Sequence, residues 1–473
     1  MSESDHIAAA PLEESGAANP IMDNETRLRP EFVDRVLDAV EAGDDETARR
    51  LVAPLHPADV ADLIELARSD EREGLVKALA GIISPDVLAE MNDYVREGLL
   101  DEMEPQQVAD IAGQLETDDA VALIEDLDEE EQQAVLQRME PDDRAAVEEA
   151  LGYPEESAGR LMQRDLIAVP EHWKVGQVID YLRKTPDLAD DFWEIFVVSP
   201  DHRPVGTCKL STILRTARET PVTGIMMREQ TLIPVDMDQE DVALRFQKYA
   251  LVSAAVTDGS GRLVGMITVD DIVHIIQEEA GEDVLLLSGV SDEGDINEPV
   301  VDSYKARVRW LGANLLTALV GASIIRAFEG SIERLAVLAV LMPIVAGVGG
   351  NAGTQTLAVT VRALATNQLT GSNRWRAVTR EIRVALLNGA TIACLIGLGV
   401  SLILGSPSLG MVIATAMLTN IIVAGLAGSL VPVVLERVGA DPAVASSIFV
   451  TMVTDSMGFF SVLGLATWSG LVP

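Results

Sequence analysis

The sequence predicts a multidomain fold: an α-helical superhelical amino-terminal domain, an α+β pair of duplicated modules, and an all-α polytopic membrane domain of five transmembrane helices. Three observations predict it. The 473-residue chain carries 11 Lys+Arg and 7 Asp+Glu from residue 301 onward, which leaves 24 basic and 68 acidic residues, a net charge of −44, in residues 1–300. One sequence unit occurs twice between residues 161 and 273, and five apolar runs occupy the last third of the chain.

The amino-terminal domain, predicted over 30–155, follows an acidic tail at 1–29 that is predicted to be disordered. Proline or aspartate followed by apolar residues at helical spacing recurs along this region, and four prolines fit first-turn positions: Pro57, Pro85, Pro105 and Pro141. The spacing between copies varies, so an irregular helical array is expected. Acidic residues on its faces, including Asp86, Asp118 and Asp119, are in most proteins solvated surface.

The duplicated unit aligns residues 197–214 with residues 256–273 and predicts strand, turn, strand and helix in each copy. It resembles a tandem pair of CBS modules, expected here over 156–276. Such modules often bind adenine nucleotides, so the resemblance implies ATP as a regulatory ligand. The second copy keeps Thr268 and Asp271 at the ribose position and the first does not, so at most one site per chain is expected; alternatively, neither copy binds nucleotide.

An acidic connecting helix is predicted over 277–303, between the duplication and the membrane. Four carboxylates follow one edge of it: Glu278, Glu279, Glu282 and Asp283. Residues three and four apart are neighbours on a helix, and like charges at that spacing repel. A divalent cation would relieve the repulsion, although a solvated linker helix accounts for the run equally well.

The membrane domain, predicted over 304–473, contains runs at 310–328, 335–360, 384–404, 409–435 and 443–468, each long enough to span a bilayer. Basic residues precede the first run and separate the second from the third, and the third-to-fourth loop has none. The positive-inside rule then predicts a multi-pass protein of the inner (plasma) membrane with a cytoplasmic amino-terminal side and an outer carboxyl terminus. The acidic start of the chain does not resemble a signal peptide.

Asp455 is the single charged residue in the last apolar run. A carboxylate near the middle of a membrane helix costs at least about 2.5–3.5 kcal/mol to insert, so it usually faces water or a cation. The alternative is a protonated aspartic acid in an interhelical hydrogen bond. Asp455 is therefore predicted to be functional.

Proline and glycine interrupt the second run in MPIVAGVGGNAGTQ, around Asn351. A broken membrane helix is tolerated where protein or a water-filled cavity satisfies its backbone, so a broken helix with Asn351 lining a path is expected. The alternative is that the glycines serve helix packing alone.

Several classes are excluded or disfavoured. The acidic surface repels nucleic acid, so no nucleic-acid partner is expected. The two cysteines, Cys208 and Cys394, do not suffice for a disulfide framework or a thiolate metal cluster. An intramembrane aspartyl protease needs two carboxylates sharing a proton, and Asp455 is the only acid well inside a predicted span, so no enzyme is expected.

The chain resembles the MgtE family of magnesium channels and transporters over about residues 30–470. The resemblance rests on the domain order and on GGNAGTQ at 349–355, RALAT at 362–366, and the sequences DPAVASS and TMVTDSMG around Asp441 and Asp455. It implies a homodimer in the lipid membrane, a pore between the subunits, and Mg²⁺ as both substrate and regulator. Alternatives are a transporter of Co²⁺ or Mn²⁺ and a nucleotide-regulated solute transporter.

The resemblance also implies roles for individual residues. In the pore, Asp455, Asn351 and Asp441 are expected to contact metal. Carboxylates of the connecting helix and the cytosolic domains are expected to bind Mg²⁺ and hold the helix as a plug: Asp86, Asp118, Glu240, Asp271, Glu279, Glu282 and Asp283. Potential-driven Mg²⁺ uptake, closed by internal Mg²⁺, is the expected function.

Overall fold

The computed structural model describes residues 21–23, 26–185, 188, 192–290, 294, 296–444 and 446–472. The chain divides into two compact units, 1–272 and 273–473. The tail predicted to be disordered lies mostly outside the described residues, but within it Met22 and Leu28 form an antiparallel bridge.

The amino-terminal domain is built from ten short helices: α1 (Pro30–Glu41), α2 (Asp45–Val52), α3 (Pro57–Leu66), α4 (Ser69–Ala78), α5 (Pro85–Ala89), α6 (Asp93–Leu100), α7 (Pro105–Ala112), α8 (Thr117–Glu125), α9 (Glu129–Leu136) and α10 (Pro141–Ala150). The four predicted prolines are the first residues of α3, α5, α7 and α10. Proline suits this position because its missing N–H has no partner there. The predicted helical array is confirmed.

The core of this domain repeats in α3 and α8. Leu63 and Ile64 in α3 and Leu123 and Ile124 in α8 are fully buried. In each helix these leucine and isoleucine side chains lie on the inward face together with a preceding buried alanine. This is the spacing expected of an amphipathic helix. The first-turn residues of both helices, 57–59 in α3 and 117–119 in α8, are half-buried.

The duplicated modules each contain a three-stranded sheet. The strands are β1 (Ala168–Pro170), β2 (Glu194–Val198), β3 (Pro204–Lys209), β4 (Leu232–Pro234), β5 (Ser253–Thr257) and β6 (Leu263–Thr268). In both sheets the first strand pairs parallel to the second and the second antiparallel to the third, with a register irregularity near the end of the second strand. The helices are α11 (Val175–Lys184), α12 (Leu210–Arg215), α13 (Gln239–Tyr249) and α14 (Val269–Leu287).

The two modules exchange their upstream segments. Gln163, upstream of the first module, bridges Met266 in β6, and Met227, upstream of the second, bridges Thr207 in β3. Gly206 and Gly265 occupy equivalent positions, and a Cβ on either would come within 2.7 Å of the exchanged segment. The internal duplication therefore extends to the contact between its copies.

α14 is one helix from the second module into the acidic segment. It crosses the position where the modules were predicted to end and finishes well before residue 303. Gly289 has φ +74°, in the left-handed region that glycine adopts without strain, and it lies just beyond the last turn. Residues 291–293 and 295, in the rest of the predicted connecting helix, lie outside the described residues.

The membrane unit contains α15 (Val300–Ala327), α16 (Glu329–Arg334), α17 (Val337–Ala365), α18 (Arg374–Ile403), α19 (Pro407–Arg437) and α20 (Ser446–Trp468). Among the described residues, five of these helices, all except α16, are long and apolar enough to cross a membrane. The five predicted spans are confirmed. α18 begins ten residues before the predicted third span, because its basic first turns continue the helix beyond the apolar run.

α17 is continuous, with Pro343 inside it, so the predicted broken helix is wrong. Proline removes one backbone donor, and the rest of the ladder is kept. Two of the glycines lie where other helices approach: a Cβ on Gly349 would overlap Nδ2 of Asn420, and one on Gly353 would lie 2.7 Å from Val450. The alternative interpretation, that the glycines serve helix packing, fits the structure.

Gly349→Ala is expected to lower the free energy of unfolding of the membrane domain by about 1–3 kcal/mol, the usual cost of overpacking. Gly347→Ala is the matched control, because no atom lies within 4 Å of a Cβ at that position in the same helix. Thermal unfolding of the purified full-length variants in detergent measures the difference. Equal melting temperatures of the two variants would show that Asn420 and α19 can move to accommodate the methyl group without loss of stability, which would contradict this prediction.

Candidate functional site

Acidic side chains from the helical domain face the second module. Glu116 precedes α8, Asp118 and Asp119 lie in its first turn, and Asp271 lies in the first turn of α14. A hydrogen-bonded chain links the two sides. Nε2 of Gln163 lies 2.8 Å from Oε2 of Glu116 and 3.4 Å from Oγ1 of Thr268, which donates to Oδ2 of Asp271 at 2.7 Å.

These carboxylates resist ionisation. Desolvation, followed by the charge of Asp271, raises the pKa of Glu116 from 4.5 to about 7 and that of Asp119 from 3.8 to about 6. The same two causes raise the pKa of Asp118 well above its ordinary value. Oδ1 of Asp118 is buried and has no hydrogen-bond partner among the described residues. The cluster therefore favours bound protons or a cation.

The predicted sensor residues are partly brought together. Asp118 and Asp271 interact, and Asp86 adds to the field that raises the pKa of Asp119. Glu240 lies in the first turn of α13. Within the described part of the chain, no group of three or more His, Cys, Asp or Glu side chains is arranged to hold a metal ion.

The end of α14 lies against the membrane helices of its own unit. Leu286 is buried in a cluster with Leu357 and Val361 of α17, Ala443, and Val450 of α20. Burial, and then the charge of Asp441, raises the pKa of the Asp283 carboxyl. Two predicted metal-binding carboxylates, one on the connecting helix and one before α20, are thus within electrostatic reach of each other.

The other carboxylates of the connecting helix differ in exposure. Glu278 is exposed, and Glu279 and Glu282 are half-buried. All three precede Leu286, which is buried in a cluster with residues of α17 and α20, on the same helix.

Asp455 and Asn351 lie on adjoining helices. A Cβ on Gly350 of α17 would be 3.9 Å from Oγ1 of Thr454 in α20, and Asn351 and Asp455 are the next residues along each helix. Asp455 is half-buried and Asn351 is exposed. Oγ1 of Thr354 lies 3.2 Å from the carbonyl oxygen of Gly350 and 3.1 Å from that of Asn351. Because α17 is continuous, side chains rather than freed carbonyls are the available ligands.

Two polar residues of the membrane helices were missed from the sequence. Asn420 is fully buried, its Nδ2 donates to the carbonyl of Val345 at 2.9 Å, and its Oδ1 has no partner among the described residues. Its signal was that it is the one amide in the fourth apolar run. Glu381 is buried in α18; it was missed because the third span was predicted to start after it. Asp455 is therefore not the only acid within the membrane helices.

The predicted nucleotide residues are adjacent. Oγ1 of Thr268 donates to Asp271, and the backbone N–H of Thr268 lies 3.4 Å from the same carboxylate oxygen. Asp271 also faces the α8 carboxylates, so a nucleotide and the acidic cluster would share this side chain.

Family models match three parts of the chain. A divalent cation transporter model, MgtE, matches residues 342–465, the MgtE intracellular N domain matches 55–156, and a CBS domain matches 222–278. The third match covers the second module. The cytosolic placement of the helical domain and the transmembrane character of the carboxyl-terminal part agree with these descriptions.

Solved structures resemble the cytosolic part. The cytosolic domain of the Mg²⁺ channel MgtE in complex with ATP is 27% identical and covers 51% of this chain and 99% of its own, with a TM-score of 0.48. The soluble part of a magnesium transporter is 26% identical and covers 53% of this chain and 98% of its own, with a TM-score of 0.45.

Curated relatives extend over about two thirds of the chain. The magnesium transporter MgtE of Enterococcus faecalis is 34% identical over 303 residues, covering 64% of this chain and 67% of that protein. The magnesium transporter MgtE of Thermus thermophilus is 34% identical over 317 residues, covering 66% of this chain and 70% of that protein. The family models match the helical domain, the second module and the membrane helices in that order along the chain. Together with the identity to the curated relatives, these matches show that the chain belongs to the MgtE family of divalent cation transporters.

Proposed function

We propose that the protein is a Mg²⁺-selective channel that carries Mg²⁺ into the cell, as a homodimer in the plasma membrane with its carboxyl terminus outside. The observation that carries the proposal is the placement of Asp455 and Asn351 beside the Gly350–Thr454 contact of α17 and α20. A half-buried carboxylate within an apolar helix needs a cation or water, and an exposed amide on the neighbouring helix supplies a further oxygen ligand.

The ligand chemistry favours Mg²⁺. Mg²⁺ is a hard cation that loses its hydration water reluctantly, and proteins hold it through one or two carboxylates with several waters retained. Two copies of Asp455 facing each other across a dimer axis would provide those carboxylates, and the two Asn351 amides would contact the retained waters. A dehydrated monovalent ion needs a closer ring of oxygens.

The membrane potential supplies the driving force. Moving one charge inward through 100 mV releases about 2.3 kcal/mol, so a divalent ion gains about twice that. Uptake then needs no coupled reaction. Because the driving force is always present, the protein needs a mechanism that closes the channel.

Closure is proposed to act through α14. Mg²⁺ bound to Glu278, Glu279, Glu282 and Asp283 would neutralise their repulsion. Asp441, whose charge acts on Asp283, is a further ligand candidate. Leu286, one turn beyond these carboxylates, packs on both α17 and α20, so the position of α14 is coupled to the helices that carry Asn351 and Asp455.

The acidic cluster between α8 and α14 is proposed as the sensor. The pKa values of its carboxylates are raised because burial desolvates the carboxylates and because they repel one another. A bound Mg²⁺ would offset both effects by stabilising the ionised form. Asp86, whose charge acts on Asp119, and Glu240 are proposed as additional ligands.

Flux into liposomes tests the proposal. Purified protein is reconstituted, and uptake of Mg²⁺, Co²⁺, Mn²⁺ and Ca²⁺ is measured with and without an imposed inside-negative potential. Mg²⁺ uptake that exceeds the others and rises with the potential is expected. Equal or larger Co²⁺ or Mn²⁺ uptake would favour the alternative cation, and uptake indifferent to the potential would remove the channel mechanism.

Compaction of the cytosolic fragment 1–290 by millimolar Mg²⁺ is expected at pH 8, and much less effect at pH 5. The pKa of Glu116 is raised to about 7 and that of Asp119 to about 6, so the compact state binds protons more tightly than the open one. Its stability is therefore complete at low pH and is lost as the pH rises from about 4 to 7. Small-angle scattering at fixed ionic strength measures the radius of gyration.

Variants sharpen this test. Asp118→Asn removes a carboxyl whose pKa is raised, and it should compact the fragment at pH 8 without Mg²⁺. Asp110→Asn on α7, where the carboxylate is exposed and accepts a hydrogen bond from Gln106, is the control and should behave as the parent does. Scattering profiles that superimpose with and without Mg²⁺ at pH 8 would refute the sensor model.

ATP is expected to bind the same fragment once per chain, at the second module. Asp271→Ala should weaken binding because the carboxylate would accept hydrogen bonds from ribose hydroxyls, and Thr212→Ala at the corresponding position of the first module is the control. Titration calorimetry with Mg²⁺ present and absent gives the affinity and stoichiometry. No heat at millimolar ATP in either condition would leave the modules with a mechanical and metal-binding role. ATP alters gating only through unequal affinity for the two states.

A further inference from the structure

A cavity of about 220 Å³ lies where α17, α18 and α19 meet in the membrane unit. It is separate from the Asp455 region in its lining residues. Its polar lining comes from α17 and α18: Gln355, Thr356, Arg380, Glu381 and Asn388. It is smaller than the roughly 300–1,000 Å³ of sites for drug-sized ligands, so a small chemical group is the fitting occupant.

A buried carboxylate dominates the interior. Glu381 is 8% exposed, and the hydrogen bond that its carboxylate accepts from the described residues comes from Arg380 to Oε1. Oε2 remains for a ligand. α19 closes the floor, since a Cβ on Gly425 would lie 2.7 Å from Cβ of Ala385. A buried carboxylate is costly unless cationic donors compensate it, and Arg380 compensates only Oε1.

The rim has the opposite charge. The Arg380 side chain is 68% exposed, and it stands among the basic first turns of α18, at the end of the span where arginines meet the headgroup region. At the mouth, Val359 is 52% and Val384 38% exposed, so the opening is apolar. A ligand that matches this order has a hydrocarbon part, then an anionic group, then a cationic group.

We propose that the cavity binds the headgroup of an aminophospholipid, with its phosphate on Arg380 and its primary ammonium on Glu381. Arginine is suited to phosphate oxygens, and basic pockets between membrane helices bind phospholipid headgroups. A primary ammonium has three N–H donors, which match the free oxygen of Glu381 and the amide oxygens of Gln355 and Asn388.

The same lining discriminates between headgroups. A choline headgroup has no N–H donor, and quaternary ammonium groups are held by aromatic rings. None of the described residues that line the cavity is aromatic. A glycerol headgroup keeps the phosphate contact but brings no cation to Glu381. Ethanolamine lipids are therefore preferred to both, and the site joins the pore-bearing helix α17 to α18.

Native mass spectrometry of the full-length protein tests the proposal with ethanolamine, choline and glycerol phospholipids of identical acyl chains. Ethanolamine lipid should bind at least about tenfold more tightly than choline lipid, the effect of a charged hydrogen bond. Glu381→Gln should abolish this preference. Arg380→Gln should weaken all three lipids, and Glu436→Gln, which removes the partner of Arg374 elsewhere on the surface, should leave the preference intact.

Three results would overturn the proposal. They are equal retention of ethanolamine and choline lipid by the parent protein, a preference that persists in Glu381→Gln, and displacement of the lipid by soluble phosphoethanolamine at matched concentration. The last would assign the cavity to a soluble ligand of the same chemistry. If Glu381→Gln fails to fold, the comparison of the parent protein with Arg380→Gln still tests the proposal. If Arg380 does not bind the phosphate, the affinities of Arg380→Gln for the three lipids will equal those of the parent, and the proposal is then wrong.

Discussion

Replacement of Asp455 by alanine is expected to reduce Mg²⁺ flux into liposomes by about 100-fold or more. Loss of an outer-shell partner typically lowers metal affinity by about 10–100-fold, and a residue that contacts the hydrated ion directly has a larger effect. Asp455→Asn keeps the shape and removes the charge, so it separates the electrostatic contribution from packing. Fluorescent Mg²⁺ indicators inside the liposomes report the rate.

The control for Asp455 is Asp302→Asn at the start of α15. Asp302 is exposed and pairs with Lys305, so its loss changes the net charge of the membrane unit by the same amount. It should leave flux near the parent value. Parent-level Mg²⁺ flux and selectivity in Asp455→Ala would sink the pore assignment.

Combined replacement of Glu278, Glu279 and Glu282 by glutamine and Asp283 by asparagine is expected to abolish closure by internal Mg²⁺ or raise the closing concentration at least about tenfold. Coupling between two sites in proteins is commonly about 1–3 kcal/mol, or about 5–150-fold. The variant has no repulsion for Mg²⁺ to relieve, and the field of Asp441 no longer acts on a charged residue 283. Conduction at low internal Mg²⁺ should persist.

A charge-matched control exists in the amino-terminal domain. Asp128, Glu129, Glu130 and Glu131 form a run of the same length at the start of α9. Neutralising them should leave the Mg²⁺ dependence of closure unchanged. If both quadruple variants close at the parent concentration, α14 is not the gate.

The parts of the fold that the sequence predicted are those with local signals. Prolines at first-turn positions predicted the helices of the amino-terminal domain because the backbone requirement is local. The two modules were found because their copies share a pattern of strand, turn and helix that survives sequence divergence. The five spans followed from length and hydropathy alone. In the bilayer core every backbone polar group must find its partner within the structure, so a long apolar segment there is restricted to a helix or a closed barrel.

The parts that were missed depend on contacts between distant residues. Pro343 and the glycines predict either a broken helix or a close crossing, and only the presence of Asn420 opposite Gly349 distinguishes them. The sequence around Glu381 predicts a basic loop, whereas in the structure α18 already begins at Arg374 and includes Glu381. Glu116 and Asp271 are far apart in sequence, and their repulsion arises from the packing of α8 beside the start of α14. The roles of the metal-binding residues remain predictions.

The crossing of α17 with its neighbours restricts how the protein can diverge. At Gly349 and Gly353 of α17 and at Gly458 of α20, the smallest enlargement that the genetic code offers, a methyl group, already meets an adjoining helix at 3.0 Å or less. No gradual series of substitutions leads away from glycine at these positions. A lineage that enlarges one of them must shrink its opposite residue, such as Asn420 or Val450, at nearly the same time. The exposed leucines of α15 have no such partner among the described residues, so mutational change accumulates there first.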